Sequence, residues 1–226
     1  IKTDLENKPS TSLGSSDVSL LELLNSFGTV VNEGIYNDPV LVTKIVNSEG
    51  KVVYQAAKQN KRVIPYETAW LMTELLKGGM TEPGGTTQAL WEWNLFNYDT
   101  NFGGKTGTSS NHSDAWFVGV TKNLIGGAWV GGEHRSVHFR TSQLGEGSKT
   151  ALPIFGLFME KVLKDENFKH YRGKFPDKPK QEITRDYRCH TYVKPDTTAN
   201  DSVQEIDPEE LEVIEEPTQK ETTETN

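Results

Sequence analysis

Disulfide bonding within the chain is excluded from the outset, because its 226 residues contain one cysteine, Cys189. That poverty suits the cytosol and many bacterial envelope proteins alike, so it leaves the compartment open. No apolar run approaches the ~18 residues of a membrane-spanning helix. No secretory leader opens the sequence either. It begins at Ile1, without methionine, and is expected to be a fragment or processed product whose upstream part would hold any membrane anchor. Positive charge is scarce: 24 Lys and Arg stand against 32 Asp and Glu, for a net charge of -8. No basic face is available to neutralise phosphates, so nucleic acid is not an expected partner. No internal repeat is present.

The sequence does hold enough apolar residues, 34%, to build a core from most of its length. A first helix is predicted over 17–32, capped by Ser16 or Asp17. Leu20, Leu24, Phe27 and Val31 form its apolar stripe, and Gly34 suits its stop. Residues 40–46 and 51–54 flank Asn47-Ser48-Glu49-Gly50 and read as a hairpin. A second helix is predicted over 65–77, opened by Pro65 and closed by Gly78-Gly79, with Ala69, Met72, Leu75 and Leu76 on its core face. Residues 78–104 read as a long connection with one short helix near 85–91. Three strand-like runs follow, at 102–109, 115–121 and 125–131, the last two joined at Lys122-Asn123. A last helix fits 151–164, with Leu152, Phe155, Phe158, Met159 and Val162 spaced to cover a sheet. Residues 169–194 read as an extension. Residues 195–226, rich in Glu and Thr with few apolar residues, are expected to be a disordered acidic tail.

The run Lys105-Thr106-Gly107-Thr108 holds the candidate chemistry, although a tetrapeptide alone is weakly specific. Its setting narrows it: Gly103-Gly104 before it, a polar loop from Ser109 to Ser113 after it, then an aromatic strand. Other motif readings fail on spacing. Gly104-Lys105-Thr106 lacks the glycine five residues earlier that a phosphate loop requires, because Asp99 stands there. His134 and His138 lie four apart, but Arg135 occupies the place where a zinc-protease helix has glutamate. No metal and no cofactor is expected. Trp116, Phe117 and Trp129 read as sheet core, and Asn111 and His112 as a solvated loop.

Gly104 to Thr108, Asp114-Ala115-Trp116-Phe117-Val118-Gly119 and Trp129-Val130-Gly131-Gly132 together resemble the last three sheet strands of class A penicillin-binding proteins. Leu13 to Glu22, Asn32 to Tyr36, Gly85-Thr86-Thr87 and Ala151 to Phe155 resemble the same family, in order, over about residues 10–165. The resemblance implies an α+β fold of the serine β-lactamase and penicillin-binding transpeptidase type. Its antiparallel sheet would be flanked by helices, and 1–168 would be the C-terminal portion of an incomplete domain. It implies peptidoglycan D,D-transpeptidation: acyl transfer from D-Ala-D-Ala stem peptides, with β-lactams as mimics of that substrate. Lys105 would supply a fixed cation and Thr108 a backbone N–H for the oxyanion. Thr106, Gly107, Thr108 and Ser109 would line the substrate. It also implies a parent with a membrane helix and a glycosyltransferase domain, placed at the outer face of the bacterial cytoplasmic membrane.

The family's nucleophile motif, Ser-x-x-Lys, is expected upstream of Ile1. Ser48 to Lys51 spells that pattern, but in a hairpin turn rather than at a helix start. Ser109-Ser110-Asn111 spells Ser-x-Asn after the lysine strand instead of before it. The chain by itself is therefore expected to be inactive, and to expose apolar surface until its upstream half, as a partner, covers it. Two alternatives remain open on sequence. One is a D,D-carboxypeptidase or β-lactamase-like hydrolase; the other is a non-catalytic cell-wall binding or assembly module.

Overall fold

A computed structural model of the chain describes residues 1–57, 60–185 and 187. Cys189 and the acidic tail at 195–226 lie outside the described residues. One compact unit runs from Ile1 to Tyr187, so residues 169–185 pack as part of it. Phe175 is buried there, and Glu67 accepts from the backbone N–H groups of Thr184 and Arg185 at 2.8 and 3.0 Å.

The element order is α1 (Leu20–Val31), β1 (Ile35–Tyr36), β2 (Lys44–Val46), β3 (Val52–Gln55), β4 (Lys61–Arg62), α2 (Tyr66–Thr81), β5 (Gly103–Thr108), β6 (Asp114–Val120), β7 (Ile125–Gly131), α3 (Ser142–Gly145) and α4 (Ala151–Lys164). Short 3₁₀ segments occupy Pro9–Leu13, Thr86–Glu92 and Glu166–Tyr171. Strands β5, β6 and β7 form one antiparallel sheet in that order, with Thr106 opposite Phe117 and Trp116 opposite Trp129.

Helices cover both faces of this sheet, and glycines decide how closely. Gly119 and Gly126 face each other across β6 and β7, and a Cβ on either would meet the ring of Phe155 in α4. That ring also meets Phe117 edge-on, with centroids 5.2 Å apart, and Phe102 at 6.5 Å. On the opposite face Gly127 makes room for Leu20 and Leu24 of α1. Two apolar clusters result: Leu90, Phe117, Leu152, Phe155 and Met159 on the α4 side, and Leu76, Val118, Val120 and Phe175 on the α1–α2 side.

Four expectations are corrected. The first helix starts at Leu20 and not at 17, because Ser19 rather than Ser16 or Asp17 caps it. Ser19 Oγ accepts from the Glu22 N–H and Glu22 reaches back to the Ser19 N–H, a reciprocal pair that fixes the first turn. The second helix does not stop at Gly78-Gly79 but continues to Thr81. Gly79 is a notch instead: a Cβ there would strike Thr87 Oγ1 and the Gly104 carbonyl. Met72 and Leu75 leave the core, at 42% and 70% exposed, while Tyr66, Trp70 and Met80 enter it. In α4 the core face is Leu152, Phe155, Met159, Val162 and Leu163, and Phe158 stands half exposed. The 151–164 bounds themselves match.

Strands β2 and β3 form the expected hairpin, closed by Asn47 Oδ1 accepting from the Glu49 and Lys51 N–H groups. It is shorter than its apolar run suggests, and every strand residue in it is exposed. The pair β1–β4 forms its stalk, with Ile35 opposite Arg62. Gly34, at φ 81, lies against the Ile64 carbonyl, and Arg62 donates to the Glu33 carbonyl at 2.5 Å.

Two predictions follow from this packing. Phe155→Ala empties the contact shared by Phe102, Phe117 and two glycines, and should cost about 3–5 kcal/mol by urea unfolding. A loss under ~1 kcal/mol would contradict the central place given to that ring. The second concerns Glu22, whose carboxyl is held at about 2 by the Thr3 hydroxyl first, then the Lys2 N–H and Ser19. A depressed carboxylate stabilises above its ordinary value of 4.5, and that contribution fades as pH falls towards about 2. Protection of the Lys2 and Thr3 amides, taken relative to their intrinsic exchange rate at each pH, should therefore fall as pH drops across that window, and Glu22→Gln should abolish the step. Persistence of the step in Glu22→Gln would assign it elsewhere.

Candidate active site

The backbone of β5 sets up the site. Gly103 carries no side chain because the backbone of α2 at Leu76 and Lys77 sits about 3 Å from where its Cβ would be. The strand is thus laid directly on the helix. β6 pairs with one edge of β5, and the other edge faces the Gly85–Thr87 segment and open solvent. In an antiparallel strand each residue's N–H and C=O point to the same side, and successive residues alternate. Ser109 N–H donates to the Asp114 carbonyl at 2.9 Å, which sets residue 109 towards β6. Residues 104, 106 and 108 therefore turn their backbone groups to the free edge. Two partners there agree: the Gly104 carbonyl accepts from Thr87 Oγ1 at 3.1 Å, and the Thr106 carbonyl accepts from Lys105 Nζ at 2.7 Å. The Thr108 N–H shares that open edge.

Side chains alternate across the faces. Lys105 lies opposite Val118, on the α1–α2 side. It lines an open groove of about 650 Å³ with Phe27 and Val30 of α1, Met72 and Leu75 of α2, Thr86 and Gly104. The groove is mostly apolar, and its polar side chains are Lys105, Thr86 and Ser26. Thr106 and Thr108 project to the other face, about 7 Å apart along the strand. Thr106 Oγ1 lies 2.8 Å from Thr86 Oγ1, and Thr108 Oγ1 accepts from the Gly147 N–H at 3.1 Å. Gly107 lies over the Trp116 side chain.

Ser109 is placed differently from its neighbours. Its hydroxyl accepts from the N–H groups of Ser113 and Asp114 at 3.0 and 2.9 Å and lies 3.2 Å from Asn111 Oδ1. These bonds knit the 109–114 loop. Trp129, expected in the core, is 41% exposed and donates its indole N–H to Asp114 at 3.0 Å. His112 is a hinge of the same loop at φ 58, and its carbonyl accepts from Phe139 N–H at 3.2 Å.

The run 132–147 is a strap that returns from β7 to the end of β5. Asn111 donates to the Arg135 carbonyl at 3.1 Å, and Gly147 lies where a Cβ would strike the Gly107 and Trp116 carbonyls. Arg135 also pairs with Asp17 at 2.7 Å, but both side chains are mostly exposed, at 68% and 92%. Such a pair contributes at most ~1 kcal/mol, so the backbone contacts hold the strap.

The sequence singles out Lys105 to Thr108 as candidates but gives no role to the residues that touch them. Thr87 and Gly147 had no assigned role, although Gly-Thr-Thr some twenty residues before the lysine strand was a usable signal. Ser48 and Lys51 lie in the exposed turn between β2 and β3, which pair with each other and not with β5. Among the described residues no group of three or more His, Cys, Asp and Glu could hold a metal ion. Nor is any helix there long and apolar enough to cross a membrane.

A helix-flanked antiparallel sheet thus presents a Lys-Thr-Gly edge strand beside an open groove. The model of the penicillin-binding protein transpeptidase domain matches residues 3–160, and the chain belongs to that family. Among relatives, penicillin-binding protein 1A of Clostridium tetani is 30% identical over 166 residues, covering 71% of this chain and 20% of its own length. Penicillin-binding protein 2D of Bacillus subtilis is 27% identical over 167 residues, covering 74% and 23%. Penicillin-binding protein 1A of Clostridium novyi is 29% identical over 144 residues, covering 63% and 15%. The chain thus spans about a fifth of the length of these relatives. The crystal structure of penicillin-binding protein 1A from Haemophilus influenzae superposes with a TM-score of 0.64 at 23% identity, over 76% of this chain and 29% of that one. A Mycobacterium tuberculosis penicillin-binding protein gives 0.58 at 23% identity, over 78% and 46%. These two establish the shared fold.

The strap yields a prediction. Gly147→Ala places a methyl against two carbonyls and should lift the strap from β5. The expected cost is about 1–3 kcal/mol, with faster amide exchange at Gly107 and Thr108. Unchanged exchange there would show that the strap does not brace the strand.

Proposed function

We propose that this chain forms the substrate-gripping part of a peptidoglycan D,D-transpeptidase. The observation that carries the reading is the free edge of β5, which carries the Thr108 N–H, with Lys105 lining an open groove on one face and the Thr106 and Thr108 hydroxyls on the other. A stem peptide would add to this edge as a further strand, with Gly107 offering no Cβ to obstruct it. Thr106 and Thr108 would donate to its terminal carboxylate. The Thr108 N–H would stabilise the oxyanion of the attacked carbonyl. Lys105, on the groove side, would meet the nucleophile.

That nucleophile is a serine supplied by a segment outside these 226 residues. The two local matches to the nucleophile and Ser-x-Asn patterns are occupied elsewhere, one in the hairpin tip and one in the Ser109 loop. The apolar groove, walled by Phe27, Met72 and Leu75, suits an apolar helix that ends beside Lys105. In the reaction the serine oxygen bonds to the carbonyl carbon of the penultimate D-alanine. The bond to the terminal D-alanine breaks, and its nitrogen leaves as an amine with the serine proton. The amine of a second stem peptide then takes the acyl group and frees the serine. A β-lactam would enter the same path and stay as the acyl adduct. The full protein would act at the outer face of the bacterial cytoplasmic membrane, anchored and joined to a glycosyltransferase through parts other than these. Hydrolysis in place of transfer, as in a D,D-carboxypeptidase or β-lactamase, would differ only in the acceptor. Ser109 would serve by holding the loop beside Thr108.

The test uses the protein that contains this chain together with its upstream half. Fluorescent penicillin should label one serine outside residues 1–226, and Lys105→Ala should slow labelling by about 100-fold or more. Failure of the unaltered protein to form an adduct would favour a non-catalytic wall-binding module. Transfer to an added amine, against release to water, separates transpeptidase from hydrolase.

A further inference from the structure

The two threonines proposed to grip the carboxylate are each backed by a second group, and the two backings share a logic. A hydroxyl has one proton to give and two lone pairs with which to accept. Thr108 Oγ1 already accepts from the Gly147 N–H at 3.1 Å, and that donor cannot turn round. Its own proton is therefore free to point outward. Thr106 Oγ1 has Thr86 Oγ1 at 2.8 Å, and either of these can be the donor. Only one arrangement lets Thr106 itself donate to an anion: Thr86 donates to Thr106, and Thr106 donates to the ligand. In the reverse arrangement Thr106 would spend its proton on Thr86 and present lone pairs to a negative charge.

Thr86 is held where this choice can be made. Its neighbour Thr87 is fully buried and donates to the Gly104 carbonyl at 3.1 Å, which ties the Gly85–Thr87 segment to β5 two residues before Thr106. Gly79 of α2 leaves the space that admits Thr87. Thr86 itself remains exposed and lines the same groove as Lys105.

We propose that Thr86 is a positioning residue that commits the Thr106 hydroxyl to donating towards the anionic end of the substrate. It touches neither the scissile bond nor the carboxylate and acts through Thr106. The idea rests on the transpeptidase reading above. When an anion arrives, the Thr86–Thr106–carboxylate chain polarises in one direction, and each bond strengthens the next. Hydrogen bonds to a charged acceptor are the stronger kind, so the effect belongs to ligands that carry the carboxylate.

The experiment measures the second-order rate of acylation of the protein containing this chain and its upstream half. The probes are a fluorescent penicillin with a free carboxylate and its methyl ester. Thr86→Val keeps the shape and removes the hydroxyl; it should slow the acid probe about 10-fold and leave the ester within about twofold. Thr86→Ser restores the hydroxyl and should recover the rate. Thr106→Val with Thr86→Val should be no slower than Thr106→Val alone, because Thr86 has nothing else to act through. Equal slowing of both probes, or a further loss in the Thr106→Val background, would reduce Thr86 to a structural residue and overturn the proposal. So would an acid-probe rate in Thr86→Val within about twofold of the unaltered protein. An unaltered protein that takes neither probe defeats the transpeptidase reading itself, and this inference with it.

Discussion

The contact between α2 and β5 governs the rest of the structure, because there two backbones meet with no side chain between them. Gly103 lies against Leu76 and Lys77, and Gly79 against the Gly104 carbonyl and Thr87. A glycine inside a helix or a strand, as Gly79 and Gly103 are, costs roughly 0.5–1 kcal/mol relative to alanine. What they allow is direct main-chain contact between the helix and the edge strand. A strand set by long side chains could drift by a rotamer; one set by main-chain contact cannot. Lys105, Thr106 and Thr108 inherit their positions from that contact.

The same device recurs on the sheet's far strands. Gly119 and Gly126 make one hollow, and Phe155 fills it, so α4 sits low on the sheet and meets Phe117 and Phe102 at once. The site is therefore built on β5, with α2 and the Gly85–Thr87 segment on one side and the strap from β7 on the other. Polar groups around it are few and paired. Thr87 spends its hydroxyl on Gly104, and Ser109 spends its own on the loop, so the polar side chains that remain along the edge are those of Lys105, Thr106, Thr108 and Thr86.

Much of this was legible before any coordinates. The strand-like runs at 102–109, 115–121 and 125–131 and the helix at 151–164 agree with the elements formed to within a residue or so at each end. What escaped were choices settled by tertiary contact. Gly78-Gly79 read as a stop because glycine ends helices more often than it notches them. Met72 and Leu75 read as core because they are apolar and correctly spaced; in the structure they face a groove. Local periodicity reports which side of a helix is apolar, and cannot say whether a partner lies in the same stretch of chain. Ser19 lost to Ser16 and Asp17 at the first helix because the reciprocal bond from Glu22 was not considered.

The β1–β4 stalk has a mechanical meaning. It joins the end of α1 to the start of α2 through Gly34 against Ile64 and Arg62 against Glu33. Those two helices are the walls of the groove. The stalk thus ties the two walls together at one end of the groove, in addition to the contacts each wall makes with the sheet and with the other. The hairpin of β2 and β3, exposed along its whole length, projects beyond that tie. It is covalently continuous with both groove walls while adding no strand to the sheet that carries Lys105.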